Sequence, residues 1–286
     1  MMVQTVPMLD EDPGPVVQRL ILGERLRALR EAGGVGLDDA NAKLGWYRGK
    51  LSKIETGTLG LSERELSTLL AYIGVSGPEA EQVRQLGAEA RRRAAPERVS
   101  DWAKQYIPLE RASSEIRMVY SEIPGLLQTT CYARTQLSRS PVVTAADLES
   151  MAGAREARGN RLFQARAPKV RAVLGEEAML RRVGTPDQMA AQLTRLRQIS
   201  ELPSVSLRVV PLENGPHAGL SCPFTLLWIE EARTTIAYVE TLTGADYVKS
   251  TSAYTLAFDQ AASDALSEED TRALIDHYVG KNEETG

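Results

Sequence analysis

Arg48-Gly49-Lys50-Leu51-Ser52-Lys53-Ile54-Glu55 is the octamer on which the reading of the chain turns. It follows Leu44-Gly45-Trp46-Tyr47 and precedes Thr56-Gly57. Leu51 and Ile54 stand three apart, so on a helix they share an inward edge, while Arg48, Lys50 and Lys53 are expected to face outward. Gly57 suits a left-handed helix stop. A short helix with one buried edge and one cationic edge fits a nucleic-acid groove. It equally fits a solvated surface helix, and the neighbours must decide.

Working outward, Val16 to Ala32 reads as a helix with Leu22, Leu26 and Leu29 on one stripe. Leu37 to Leu44 reads as a short second helix, with Asp38 and Asp39 in the first turn, where acids suit the dipole. Ser62 and Glu65 form a capping box for a fourth helix carrying Leu66, Leu69, Leu70 and Ile73. Ser76 and Glu79 have the same spacing before a fifth helix with Val83, Leu86 and Ala90. Five short helices, the second and third joined by a glycine turn, are the grammar of a helix-turn-helix domain. In that setting Arg48–Glu55 reads as the recognition helix.

Residues 22–75 resemble the Cro/repressor type of helix-turn-helix, the XRE class. The resemblance rests on Leu26, Leu29, Arg30, Val35, Leu44-Gly45, Leu51-Ser52, Ile54-Glu55-Thr56-Gly57 and Leu69. It implies an ion pair between Arg30 and Glu55. It implies base contacts from Arg48, Gly49 and Lys53, with Lys50 and Ser52 placed for phosphate or helix-end contacts. Arg48 and Lys53 suit guanine O6 and N7 in the major groove, whereas Gly49 offers no side chain. Two positions depart from the pattern. Asn41 stands where the family has a small alanine against the third helix, and Leu37 stands where a polar residue often meets phosphate.

The bulk numbers bound the rest. With 286 residues, 43% apolar and 25% charged, the chain has the length and composition of about two globular domains. It has no apolar run of membrane-spanning length. The start, Met-Met-Val-Gln-Thr followed by Asp10, Glu11 and Asp12, lacks a secretory pattern. Two distant cysteines, Cys131 and Cys222, suggest neither a disulfide framework nor a zinc site, and fit a cytoplasmic protein. Net charge is −4; residues 1–95 hold thirteen Lys/Arg and thirteen Asp/Glu, so the deficit lies beyond them. A neutral domain can bind DNA if its cations gather on one face, but it holds random sequence less firmly than a basic one.

The helical pattern breaks at Ala94-Ala95-Pro96-Glu97. Beyond it come Trp102, an amphipathic segment from Tyr106 to Tyr120, and a turn at Glu122–Thr129 into a helix with Tyr132, Ala133 and Leu137. Asp147 to Ala165 reads as a long helix studded with Arg155, Arg158 and Arg161. Thr185 to Gln188 caps another, with Met189, Leu193, Leu196 and Ile199 on one face. Strands are expected at Val170–Leu174, Val205–Val210, Phe224–Ile229 and Thr235–Val239, and closing helices at Ala253–Asp264 and Glu268–Val279. Roughly residues 105–280 resemble the C-terminal domain of a set of actinobacterial regulators that carry the same helix-turn-helix. The resemblance lies in Ile123-Pro124-Gly125-Leu126-Leu127-Gln128-Thr129, Tyr132-Ala133-Arg134, Glu176-Glu177-Ala178, Gln192-Leu193 and Tyr238…Glu240, among others. Such regulators are described as antitoxin-like and often stand beside a small acidic partner protein.

Candidates for chemistry are sparse. His217, in a loop between strands, and Cys222, Trp228 and Tyr238 are the residues that can line a ligand pocket. Each also has a plainer use, as loop histidine, buried thiol or core aromatic. Glu176, Glu177 and Glu240 flank strands and would do acid–base work only if they converged. Arg155, Arg158 and Arg161 can receive an acidic ligand or form a solvated face. No phosphate loop, nucleophile elbow, metal-spaced set or dinucleotide fingerprint is present.

The expected protein is mainly α with an α+β second domain: a five-helix Cro/repressor-type helix-turn-helix domain, then a larger helical domain containing a small three- or four-stranded sheet. Residues 1–12 are expected to be disordered, 13–95 to form the DNA-binding domain, 96–104 a linker, and 105–286 a regulatory and dimerisation domain. The expected function is sequence-specific transcription regulation at an inverted repeat of double-stranded DNA, by a homodimer without catalytic residues, metal, cofactor or membrane segment. A small-molecule effector for the second domain, a small acidic protein docked on it, and an enzyme with a regulatory DNA-binding head are the further readings.

Overall fold

Helices dominate the first third of the molecule because its apolar residues recur at helical spacing, and strands enter only after residue 112. The computed structural model describes residues 14–92, 103–241 and 244–284. The expected disordered start, Trp102 and most of the expected linker lie outside the described residues. Packing divides the described residues into two units, one of residues 14–92, 103–112 and 229–234, the other of residues 113–228, 235–241 and 244–284.

The first unit contains α1 (Gly14–Ala32), α2 (Leu37–Lys43), α3 (Lys50–Glu55), α4 (Glu63–Tyr72), α5 (Gly77–Arg91) and α6 (Ala103–Ala112). Of the predicted leucine stripe, Leu22 and Leu26 are buried with Leu51, Ile54, Leu66, Leu69 and Val83 in the core, and Leu29 packs against it partly buried. Ser62 and Glu65 make the reciprocal cap expected of them. Ser76 does not, and this corrects the sequence reading. Gly77 opens α5 with φ 65, and the Ser76 hydroxyl makes no cap hydrogen bond. The packing also places α6 with these five helices, whereas the sequence reading begins the second domain at residue 105.

The second unit is built on a six-stranded mixed sheet, not the three or four strands expected. Its strands are β1 (Glu115–Tyr120), β2 (Lys169–Gly175), β3 (Val205–Val210), β4 (Phe224–Ile229), β5 (Thr234–Thr241) and β6 (Gly244–Val248), in the order β3-β2-β1-β4-β5-β6. β1 runs parallel to β2 and antiparallel to β4, so a strand absent from the sequence reading lies inside the sheet. Between and after the strands lie α7 (Thr130–Leu137), α8 (Ala145–Asn160), α9 (Glu177–Leu180), α10 (Pro186–Ile199), α11 (Ala218–Ser221), α12 (Ser252–Asp264) and α13 (Glu268–Glu283).

α12 covers one face of the sheet, where Phe258 and Ala261 pack with Val119, Val173, Phe224, Leu226 and Ala237. Its end is fixed by Arg208 of β3, whose guanidinium donates to the carbonyls of Ala262 (2.7 Å), Ala265 (2.5 Å) and Leu266 (2.6 Å). A cation there meets the negative end of the helix. α7 packs on α8, and α10 packs on α13. The Thr185 capping box opens α10 as the sequence predicts.

Candidate nucleic-acid interface

The geometry of α3 begins at a glycine. Gly49 has φ 84, a left-handed conformation that costs an L-residue roughly 1–2 kcal/mol. Sequence reading runs the helix from Arg48 and counts Gly49 as a weak point within it. The structure corrects this: the left-handed residue cannot lie inside a right-handed helix, so α3 starts at Lys50 and Arg48 belongs to the turn. Gly49 has no side chain to cap the helix that it precedes.

Asn41 supplies the missing cap from α2. Its Oδ1 accepts from Leu51 N at 3.0 Å, its Nδ2 donates to Leu37 O at 2.9 Å, and its own carbonyl accepts from Trp46 N at 2.8 Å. The residue that departs from the family pattern is therefore the polar rivet between the two helices, and it is buried. On a six-residue helix this bond matters, because helices so short have little stability of their own.

Three further contacts hold α3. Arg30 Nε donates to Glu55 Oε1 at 2.5 Å and Nη2 to Glu55 Oε2 at 3.0 Å, while Nη1 donates to Val35 O at 2.8 Å. The two side chains are only 8% and 5% exposed, and the hydrogen bond to Glu55 raises the Arg30 pKa further above its ordinary value. Gly23 of α1 lies against the end of α3 so closely that a Cβ there would stand 2.4 Å from Glu55 O. Lys50 is bonded to Glu65, the capping residue of α4, and its Nζ stands 4.7 Å from the Trp46 ring centroid. At 16% exposure its side chain is turned to protein, not outward as the sequence pattern suggests. The Lys50 bond, with those from Ser62, holds the Glu65 carboxyl down at about 2.

What remains open is one edge made by Arg48, Ser52 and Lys53, all exposed. Tyr47 joins them. It is 54% exposed and lies beneath Lys53, with Nζ 5.6 Å from the ring centroid. The sequence reading passes over it, although an aromatic in the turn between Gly45 and Gly49 is the signal that marks it. Leu37, the second departure from the family pattern, is exposed on α2.

The candidate ligand residues of the second unit are not brought together. His217 caps α11, with Nδ1 accepting from Gly219 N at 3.1 Å and Nε2 3.6 Å from Asp264 Oδ2. Cys222 is exposed just after that helix. Trp228 pairs with Glu115 at the start of β1, and Tyr238 is buried in β5 against Tyr247. Among the carboxylates, Glu176 is taken up by Tyr278 Oη (2.7 Å) and Leu212 N (2.9 Å). No group of metal-ligating side chains occurs among the described residues. No described helix is long and apolar enough to cross a membrane.

Two helices joined by a tight turn, with the second pinned from three neighbouring helices, define a helix-turn-helix protein, the module of DNA-binding regulators. The comparison agrees: residues 21–83 match the helix-turn-helix domain family. Residues 103–277 match a second family, described as a domain of unknown function, DUF5753, and the chain belongs to it. No curated protein and no solved structure matches the chain.

Proposed function

We propose that the protein is a sequence-specific transcription regulator of the Cro/repressor, XRE-like type, acting by binding and not by catalysis. The observation that carries this reading is the division of labour on α3. Leu51, Ile54, Glu55 and Lys50 face protein partners, and the exposed polar groups gather on the edge of Arg48, Ser52 and Lys53 with Tyr47 beside them. Arg48, at the mouth of the helix, and Lys53, one turn on, are the base readers. Ser52 and Tyr47 reach phosphate, and Lys50 positions the helix through Glu65. The neutral charge of the domain favours a homodimer, with two recognition helices about 34 Å apart on an inverted repeat.

The test is selection of binding sites from random duplex DNA by the full chain, followed by electrophoretic shifts. The expected site is an inverted repeat. Arg48→Ala and Lys53→Ala are each expected to weaken binding by about 1–3 kcal/mol, relaxing preference at one position of the half-site. Unchanged affinity and selectivity in the double variant would overturn the assignment.

A further inference from the structure

Alternation along the strands sets a second group of residues on the face away from α12. Val119, Phe224, Ala237 and Val239 pack towards α12, so their neighbours Tyr120, Thr225, Tyr238 and Glu240 point to the other side. Tyr120 Oη is 3.0 Å from Thr225 Oγ1. Tyr238 pairs in register with Tyr247 of β6, their ring centroids 5.5 Å apart. Glu240 follows on the same face of β5. From α8, Arg155 and Arg158 come within electrostatic range of Glu240 and Tyr238. This is the edge where the parallel strand β1 ends, the usual place for ligands in open sheets.

The charges in this group are of both signs. Arg155 Nη1 donates to two neutral oxygens, Gln128 Oε1 at 2.8 Å and Gln136 Oε1 at 2.7 Å. Glu240 pairs with Ala245 through the β5–β6 register, and its side chain is exposed, with no hydrogen bond or ion pair to its carboxylate among the described residues. Although its side chain reaches solvent, the crowding of protein around the Glu240 carboxyl pushes it up, against the pull of Arg155 and Arg158, and burial pushes Arg155 down. A purely cationic guest would meet two arginines, and a purely anionic one would meet Glu240. A guanidinium carries five N–H donors, so Arg158 can hold a guest carboxylate alongside a protein partner. The tyrosine rings offer a surface for an apolar or aromatic body.

We propose that this group is the binding site for a small zwitterion of the α-amino acid class. The ammonium sits on Glu240, the carboxylate on Arg158, and the side chain lies along Tyr238 and Tyr247. The site does not depend on the DNA-reading assignment, and its test uses no DNA, so either can fail alone.

The experiment is thermal unfolding of the full chain with each standard α-amino acid in turn. For any hit, the matching deaminated acid and amino amide are run beside it. At least one amino acid is expected to raise the melting temperature by about 3 °C or more at saturating concentration. Its two analogues are expected to lose the shift, because each lacks one charge. Glu240→Gln, compared with its own ligand-free melting temperature, should abolish the shift. Isothermal titration of the hit against wild type and Arg158→Gln then reads the carboxylate end, with at least a tenfold loss expected for about 1.4 kcal/mol. Absence of any shift across the amino acids overturns the proposal. So does a shift that persists in Glu240→Gln, or a hit that binds equally well as its amide.

Discussion

Each unit of the molecule places arginine and glutamate near one another, and the two outcomes differ. In the first, Arg30 and Glu55 meet face to face, with both carboxylate oxygens and three guanidinium nitrogens bonded and almost no water in reach. In the second, Arg155 and Arg158 act on Glu240 through their charge, and the carboxylate has no hydrogen-bonding partner among the described residues. A closed pair fixes geometry; an open set keeps its bonding capacity for something else. The first explains how a six-residue helix is held still, and the second marks where the sheet can take a guest.

The comparison breaks most sharply at Arg30. Arg30→Ala is expected to cost about 3–5 kcal/mol in urea unfolding, because Glu55 is left buried and charged without a partner. Replacing both, as Arg30→Met with Glu55→Leu, should recover most of that loss. If the single and double variants are equally unstable, packing and not charge closure is the source. Asn41→Ala comes next. It leaves Leu51 N–H unbonded in the interior, at a cost of about 1–3 kcal/mol, and should weaken DNA binding through the start of α3.

A smaller effect is expected from Glu65. Its carboxyl is held at about 2 in the folded chain against an ordinary 4.5. The stabilisation is therefore complete above pH 4.5 and is lost as pH falls towards 2. Urea midpoints measured across that range should fall more steeply for wild type than for Glu65→Gln, and parallel curves would disprove the Lys50–Glu65 link. The smallest change is expected at Glu240. Glu240→Gln should shift stability by about 1 kcal/mol or less, because only the field of Arg155 and Arg158 is lost and no hydrogen bond of the carboxylate among the described residues. A loss as large as that of Arg30→Ala would mean that Glu240 is a closed structural partner after all.

The first unit was legible in the sequence to the degree that its contacts are local. Leucines at helical spacing and the Ser62 capping box need only their near neighbours to declare themselves. The start of α3 is not legible, because a glycine looks the same in sequence whether it weakens a helix or turns the chain before one; φ 84 decides. Asn41 was read only as a departure, since its bond partner lies ten positions on, in another helix. β1 was hidden in the tail of an amphipathic segment, because its partners are Lys169–Gly175 and Phe224–Trp228, far along the chain. β6 carries Gly244 and Asp246, poor strand formers that succeed at the edge of a sheet. Tyr238 stands out in the sequence only as one aromatic among several, because its neighbours on β1 and α8 lie far along the chain.

The clamps on α3 carry a consequence for anyone who would transplant the motif. Residues 37–55 look like a self-contained cassette, yet three of the contacts that hold the helix come from outside it: Arg30 and Gly23 on α1 and Glu65 on α4. Grafted alone onto another scaffold, the segment would bring its cationic edge and leave behind what aims it. A portable version of the motif needs α1 and α4 with it, and α5 as well, since Val83 lies in the same core.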